Sequence, residues 1–369
     1  MPVYWSMLAV TLLLFCISYV TPGKRVLLEG KIVYKTNKVY AFLSVAYVLF
    51  FVGFRDKVLD TYWYIGSYKA MPTDYKEIIE YVSAQKSGVL FFWIEGFFKK
   101  FVTDNYYGWL FFVAGISCVC IFRNLYKYSI DFPMTMYLFI AGGTFTWLIN
   151  GIRQFLAVSI LFAFSEWLIE GKKIQYIILV IIVTFIHSSA IILIPICLFV
   201  DSKKILGKKM IFLGVIVAFV TQYMNTIVTF LGENTDYDYT TAFDTGVGSG
   251  VTRLMVASVP LMIVILTRKL IEKIKTPSIV LAINMSCIGV YLYVASTLTN
   301  GILVGRLPIY FTLYNLYLLP WLIKKCFTED SSKILKWICI IFYGIYFYYQ
   351  MIVAWHGLTY VSEFLRLYY

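Results

Sequence analysis

Long apolar runs follow one another along almost the whole chain: 3–20, 39–54, 107–122, 132–149, 152–170, 174–186, 188–200, 210–231, 252–267, 278–299, 302–323 and 334–356. A helix needs about 20 residues to cross the hydrocarbon of a bilayer, and most of these runs reach or approach that length. Inside lipid each backbone N–H and C=O must be satisfied within its own segment, which leaves helices as the outcome. A water-soluble core could not hide the alternative: 60% of residues are hydrophobic and 14% charged, where soluble domains are about half apolar and a quarter charged. The expected fold is therefore all-α, a polytopic transmembrane helical bundle forming one integral membrane domain over 1–369. The runs 174–186 and 188–200 are short, and stay open between two crossings and a re-entrant pair around His187.

The net charge of +12 comes from 32 Lys and Arg against 20 Asp and Glu. In a soluble chain that excess would point to nucleic acid; here its distribution points elsewhere. The loops after the first, third, fifth, seventh, ninth and eleventh runs hold 21 of the 32 cations, from Lys24 and Arg25 to Lys333 and Lys336. That alternation is the positive-inside pattern, and it predicts both termini outside. The run 3–20 has the length of a signal peptide but no positive residues before it, so it reads as a retained anchor.

Two segments assigned to the outer face are long. Residues 55–104 carry Asp60, Tyr62, Trp63 and Tyr64, then VLFFWIEGFFKKF, an amphipathic stretch suited to a helix in the interface. Residues 232–251 are polar, acidic and Gly-rich, and read as a loop. Away from 55–104, the outer cations are Arg153, Arg253, Arg306 and Arg366, all arginine in a chain with 24 Lys and 8 Arg. Guanidinium pairs bidentately with phosphate, and ammonium does not.

Three of these arginines follow helix starts. Leu148-Ile149-Asn150-Gly151-Ile152 precedes Arg153, Leu298-Thr299-Asn300-Gly301-Ile302 precedes Arg306, and Thr252 precedes Arg253. A cation beside the positive end of a helix dipole is unfavourable unless an anion binds there. Snorkelling toward lipid headgroups accounts for each arginine alone; the set favours an anion site. Asn150 is placed to cap the helix that follows, and Asn150, Arg153 and Gln154 share one face of it. His187, one of two histidines, suits proton transfer near neutral pH or a structural hydrogen bond. Asp60 and Glu95 are candidates for sugar hydroxyls. Asp236 and Asp238 form an Asp-x-Asp pair that reads better as solvated loop than as a metal site. The seven cysteines lie in or beside apolar runs without metal-ligand spacing, and read as small core residues. Neither a P-loop, a G-x-S-x-G elbow nor a dinucleotide fingerprint occurs.

These residues resemble the EpsG-type polysaccharide polymerases of the Wzy class. The resemblance is carried by Asn150, Ile152, Arg153, Gln154, Leu156 and Ala157, then by Phe185, His187, Ser188, Ser189 and Ala190. Upstream, Gly53, Phe54, Arg55, Asp60 and Tyr64 match the family's first outer loop, with Leu59 where the pattern usually has glycine. Glu95-Gly96-Phe97 and Gly305-Arg306 with Tyr310 match more loosely. The resemblance spans roughly 50–310. It implies a multi-pass plasma (inner) membrane glycosyltransferase of GT-C-like architecture that needs no cofactor. It would join polyprenyl-diphosphate-linked oligosaccharides, as donor and acceptor, into a surface polysaccharide. Arg153, His187 and Arg306 would be catalytic; Arg55, Asp60, Tyr64, Glu95, Asn150, Gln154 and Arg253 would bind substrate. Membrane lipids, a chain-length regulator and a flippase of the same pathway are candidate partners. Two alternatives stay open: a flippase for the same lipid-linked glycan, and a metal-dependent GT-C transferase using Asp236 and Asp238. The first calls for charge within the spans, where Glu166 is the main example and lies near a cytoplasmic end; the second calls for loss of activity on chelation.

Overall fold

A computed structural model describes residues 1–20, 23–28, 30–224, 226, 250–299 and 302–368. It is 76% helix with almost no sheet. In chain order the elements are α1 (Pro2–Val20), a hairpin of β1 (Lys24–Leu28) and β2 (Lys31–Lys35), α2 (Lys38–Gly53), α3 (Thr61–Ala70), α4 (Tyr75–Ser83), α5 (Val89–Phe101), α6 (Tyr106–Tyr128), α7 (Phe132–Ala141), α8 (Ile152–Ala163), α9 (Glu166–Ile169), α10 (Lys173–Thr184), α11 (Leu193–Phe199) and α12 (Lys208–Gln222). Helices Val251–Ile274, Pro277–Thr299, Asn315–Cys326 and Glu329–Tyr348 follow.

Among the described residues, five helices are long and apolar enough to cross a membrane: Tyr106–Tyr128, Ile152–Ile169, Val251–Ile274, Pro277–Thr299 and Glu329–Ala354. Five shorter apolar helices accompany them, at Pro2–Ser18, Lys38–Gly53, Phe132–Ala141, Lys173–Thr184 and Ser188–Phe199. The expected run 302–323 is interrupted: it breaks into Ile302–Arg306, Ile309–Thr312 and Asn315–Cys326, with Pro308 at the second start, where its fixed φ suits a new helix and its missing N–H ends the old one. Residues 174–200 divide at His187 into α10 and a 3-10 turn that leads into α11. The loop 232–251, with Asp236 and Asp238, lies outside the described residues except for its last two positions, Gly250 and Val251.

The residues cluster into two compact units. The first comprises Met1–Phe164, Tyr176–Ile192 and Thr328–Tyr369. In it α6 packs along α8 and α2, and α7 against α1 and the helix 329–348. Buried Tyr137 on α7 donates its hydroxyl to the carbonyl of Ile340. Lys35 ends the hairpin by donating to the carbonyls of Lys127 and Ser129 at the end of α6, where helix carbonyls lack intrahelical partners. Burial pulls its ammonium down to about 8.

The segment 55–104 is itself helical. Asp74 caps α4 by accepting from the amides of Lys76 and Glu77. Lys99, in the last turn of α5, donates to the carbonyls of Tyr68, Lys69 and Met71 at the end of α3. The stretch 89–101 forms α5, as its amphipathic pattern predicts. Its Phe91 and Phe98 pack against the buried ring of Trp109 on α6, while the stacked rings of Trp93, Phe97 and Phe101 run along another side.

The second unit comprises Ser165–Gln175 and Leu193–Phe327. The buried side chain of Asn284 organises it: its amide donates to the carbonyls of Asp201 and Lys204 and its oxygen accepts from the amide of Leu206. Of the seven free cysteines, Cys118, Cys197 and Cys287 are buried as core residues, whereas Cys16 is exposed on α1.

Candidate functional site

The first unit carries Asp60 and Tyr64 at the start of α3, Glu95 on α5, Arg153 and Gln154 on α8, and His187 in the turn after α10. Gly151 occupies the capping position of α8 in a left-handed conformation, with φ +70°. The expectation that Asn150 caps this helix is corrected: no side chain does so in the usual way. Instead the amide of Gly151 donates to Oδ2 of Asp60 at 2.7 Å. A negative group at a helix start is the favourable arrangement. The hydroxyl of Tyr64, one turn along α3 from Asp60, lies within hydrogen-bonding reach of both the backbone N–H and the guanidinium of Arg153. Burial first, then Asp60, raise this hydroxyl's pKa, with Arg153 opposing them.

Arg153 is half-buried. Its guanidinium lies over the ring of Phe92 at 5.4 Å and against Gly88, where a Cβ would stand 2.8 Å from Nη1 and 3.3 Å from the carbonyl oxygen of Ile186. Gly88 also has φ +75°, so both space and backbone require glycine there. The amide of Leu90 donates to Phe185 O at 2.9 Å, tying the start of α5 to the chain just before His187. Arg153 and the His187 segment therefore meet at one point, Gly88. His187 Nδ1 lies 2.8 Å from Ser189 Oγ, and Gln154 Nε2 donates to the same oxygen at 3.4 Å.

Two candidates are placed differently from a surface sugar contact. Arg55 is 1% exposed; its Nε donates to Thr61 Oγ1 at 2.8 Å and its Nη1 to Val52 O. Burial pulls its guanidinium down to about 10, Asp60 pulling it back up, so it stays charged at neutral pH. This arginine holds the start of α3. Glu95 is fully buried, and accepts from Ser67 Oγ at 3.3 Å. Burial pushes its carboxyl up to about 8, against the lowering effects of Ser67, Arg153 and Lys99.

Asp56 was not singled out by sequence. Its carboxylate accepts from the hydroxyls of Tyr106 and Tyr107 and from the amide of Glu363. Lys57 and Val361 pair across a short antiparallel bridge, and the rings of Phe54 and Phe364 stack at 4.2 Å. The far end of the chain thus clasps the turn that carries Arg55 and Asp60. Leu59 in this turn has φ +49°, a conformation natural to glycine, which gives a physical reason for the family pattern's glycine. Only the adjacency of Asp56 to Arg55 signals the clasp in the sequence, and Gly88 shows as a lone glycine before an apolar stretch.

Arg253 and Arg306 belong to the second unit. Arg253 is half-buried at the start of Val251–Ile274, and Arg306 is exposed at the end of Ile302–Arg306. Asn300 and Gly301 of the echoed helix start lie outside the described residues. Among the described residues, no three His, Cys, Asp or Glu side chains form a group that could hold a metal ion.

Five helices long and apolar enough to cross a membrane, with a half-buried arginine and a hydrogen-bonded histidine near the start of one of them, mark a membrane protein with a polar cluster at one helix end. The EpsG family matches residues 38–362, and the chain belongs to that family. The family is associated with surface-polysaccharide polymerisation, a glycosyltransferase-type activity. No curated protein and no solved structure matches the chain.

Proposed function

We propose that this protein polymerises polyprenyl-diphosphate-linked oligosaccharide repeat units at the outer face of the plasma membrane. The observation that carries the reading is the meeting of Arg153 with the His187 segment at Gly88. In the transfer, a hydroxyl at the non-reducing end of one glycan attacks the anomeric carbon of another. The new C–O bond forms as the bond to the diphosphate breaks, and the electron pair leaves with the lipid diphosphate. Arg153 is suited to that developing charge, since a guanidinium presents a fork to phosphate oxygens and is already positioned by Phe92, Gly88 and Tyr64. His187 is suited to accept the hydroxyl proton, with its ring oriented by Ser189, which Gln154 in turn holds. Asp60 fixes the start of α8 and so the direction from which Arg153 approaches.

Deletion of the gene tests the reading. The expected result is loss of long polymer with single repeat units kept on the lipid or the surface. Full-length polymer in a deletion strain with no second polymerase would overturn it. Lipid-linked units trapped on the cytoplasmic side would indicate a flippase instead.

A further inference from the structure

We propose that Glu95 is a proton-carrying partner of Arg153: neutral when the site takes up its anionic ligand, and a competitor for the guanidinium when ionised. This rests on the polymerase reading only in taking the ligand to be a diphosphate.

The argument begins with hydrogen bonds. A carboxylate has about four acceptor positions, and a buried one without donors is costly. Glu95 is fully buried, with one 3.3 Å bond from Ser67 to Oε2. Its Oε1 has no hydrogen-bond partner among the described residues.

The groups around it offer little more. From α3 come Ser67 and Tyr68, and the Tyr68 hydroxyl is engaged by the carbonyl of Thr103. From the α3–α4 side come Met71 and Ile78, packed on the neighbouring Gly96. On its own helix Lys99 faces it, with an ammonium already donating to three carbonyls of α3. From α6 comes Trp109, packed on Phe91 and Phe98, the residues one turn to either side of Glu95. The remaining charge is Arg153 on α8, whose guanidinium lies 5.4 Å over the ring of Phe92, one turn before Glu95 on α5; its charge lowers the Glu95 carboxyl's pKa, in agreement with that placement.

The resting arrangement suits a neutral acid, and burial pushing the carboxyl up to about 8 agrees with it. Once ionised, Glu95 would compete with Tyr64 for Arg153, the cation beside it that does not already donate to three carbonyls as Lys99 does. Arg153 would then be drawn away from Tyr64 and from a ligand. The proton released by Glu95 goes to solvent, and no bond to the ligand is made or broken.

The test is inorganic pyrophosphate binding to the full-length protein in nanodiscs, wild type against Glu95→Gln, between about pH 7 and pH 9. Comparing the two proteins at each pH cancels the titration of pyrophosphate. A ligand admitted by one protonation state loses apparent affinity in proportion to that state's population. The expected loss in wild type, relative to the variant, is about tenfold over two pH units centred on the midpoint. A second readout needs no ligand. The infrared band of a protonated carboxyl should be present in wild type near neutral pH, fade as pH rises through about 8, and be missing in the variant. Parallel binding profiles would overturn the inference, as would a carboxyl ionised at neutral pH. Binding by neither protein, with polymer length still dependent on Arg153, would overturn it while leaving the polymerase reading intact. A full pH linkage in a protein whose deletion leaves polymer unchanged would sink the polymerase reading and keep the anion site.

Discussion

The amide of Gly151 donates to the carboxylate of Asp60 across 2.7 Å, joining positions 91 residues apart. This bond sets the start of α8 against the start of α3, and Arg153 and Tyr64 meet as a consequence. Polar residues that are scattered in the chain become one site through it.

Arg153→Lys keeps the charge and removes the fork. A charge-assisted hydrogen bond contributes roughly 1.5–3 kcal/mol, so polymer synthesis should fall roughly ten- to hundredfold at matched protein abundance. Gel analysis of polymer length reads this out. A normal ladder from the lysine variant would exclude bidentate recognition.

His187→Ala should reduce polymer synthesis about a hundredfold or more, the usual scale for a positioned base. Ser189→Ala should reduce it less, because it removes the group that orients the ring and leaves the ring in place. Equal loss in both variants, with normal abundance, would point to a packing role for the pair.

Two turns with positive φ, at Gly88 and Leu59, predict opposite responses to a change between glycine and a side chain. Gly88→Ala places a methyl against Arg153 and Ile186 in an unfavourable conformation, at about 1–3 kcal/mol, and should lower both activity and melting temperature. Leu59→Gly relieves a left-handed leucine that is 40% exposed and should keep activity, with melting temperature unchanged or raised. Differential scanning fluorimetry on the purified pair checks both directions.

Glu95 has a raised pKa in the folded protein, so its contribution to stability is fully present below the unfolded pKa and is lost as pH rises through about 8. Lys35, pulled down to about 8, acts in the opposite sense, gaining as pH rises above its folded pKa. The quantity to measure is therefore the melting-temperature difference between wild type and Glu95→Gln. That difference should shift against wild type from about pH 6 to pH 9. A constant difference would mean that Glu95 is ionised throughout.

Topology gives a further test. In a background with all seven native cysteines replaced, single cysteines introduced at Lys203 and at Trp63 should react with a membrane-impermeant maleimide from opposite sides of the membrane. Labelling of both from one side would overturn the positive-inside assignment.

Much of this was legible in the chain. Helices sit on most of the expected apolar runs, though among the described residues five of about twelve are long and apolar enough to cross a membrane, and Arg153, Gln154 and His187 stood out because polar residues are rare and costly in such surroundings. What could not be read was the folding of 55–104 onto α6 and α8. Periodicity identifies the apolar face of α5, yet Glu95 lies on the face that becomes buried, and its neighbour on α8 is set by contacts between distant positions. Arg55 looked like an outer cation because its partners, Thr61 and the Val52 carbonyl, depend on a sharp turn. The clasp of Asp56 by Tyr106, Tyr107 and Glu363 has no periodic signature at all.

That clasp also orders the protein's biosynthesis. The amide of Glu363, 307 residues after Asp56, is translated long after the turn it secures. Ribosomes will have inserted nearly every apolar helix before the turn bearing Arg55 and Asp60 receives its last support. Nascent chains stalled before Val361 would carry every catalytic candidate and still lack a finished site, so catalysis should begin as a late event of membrane assembly.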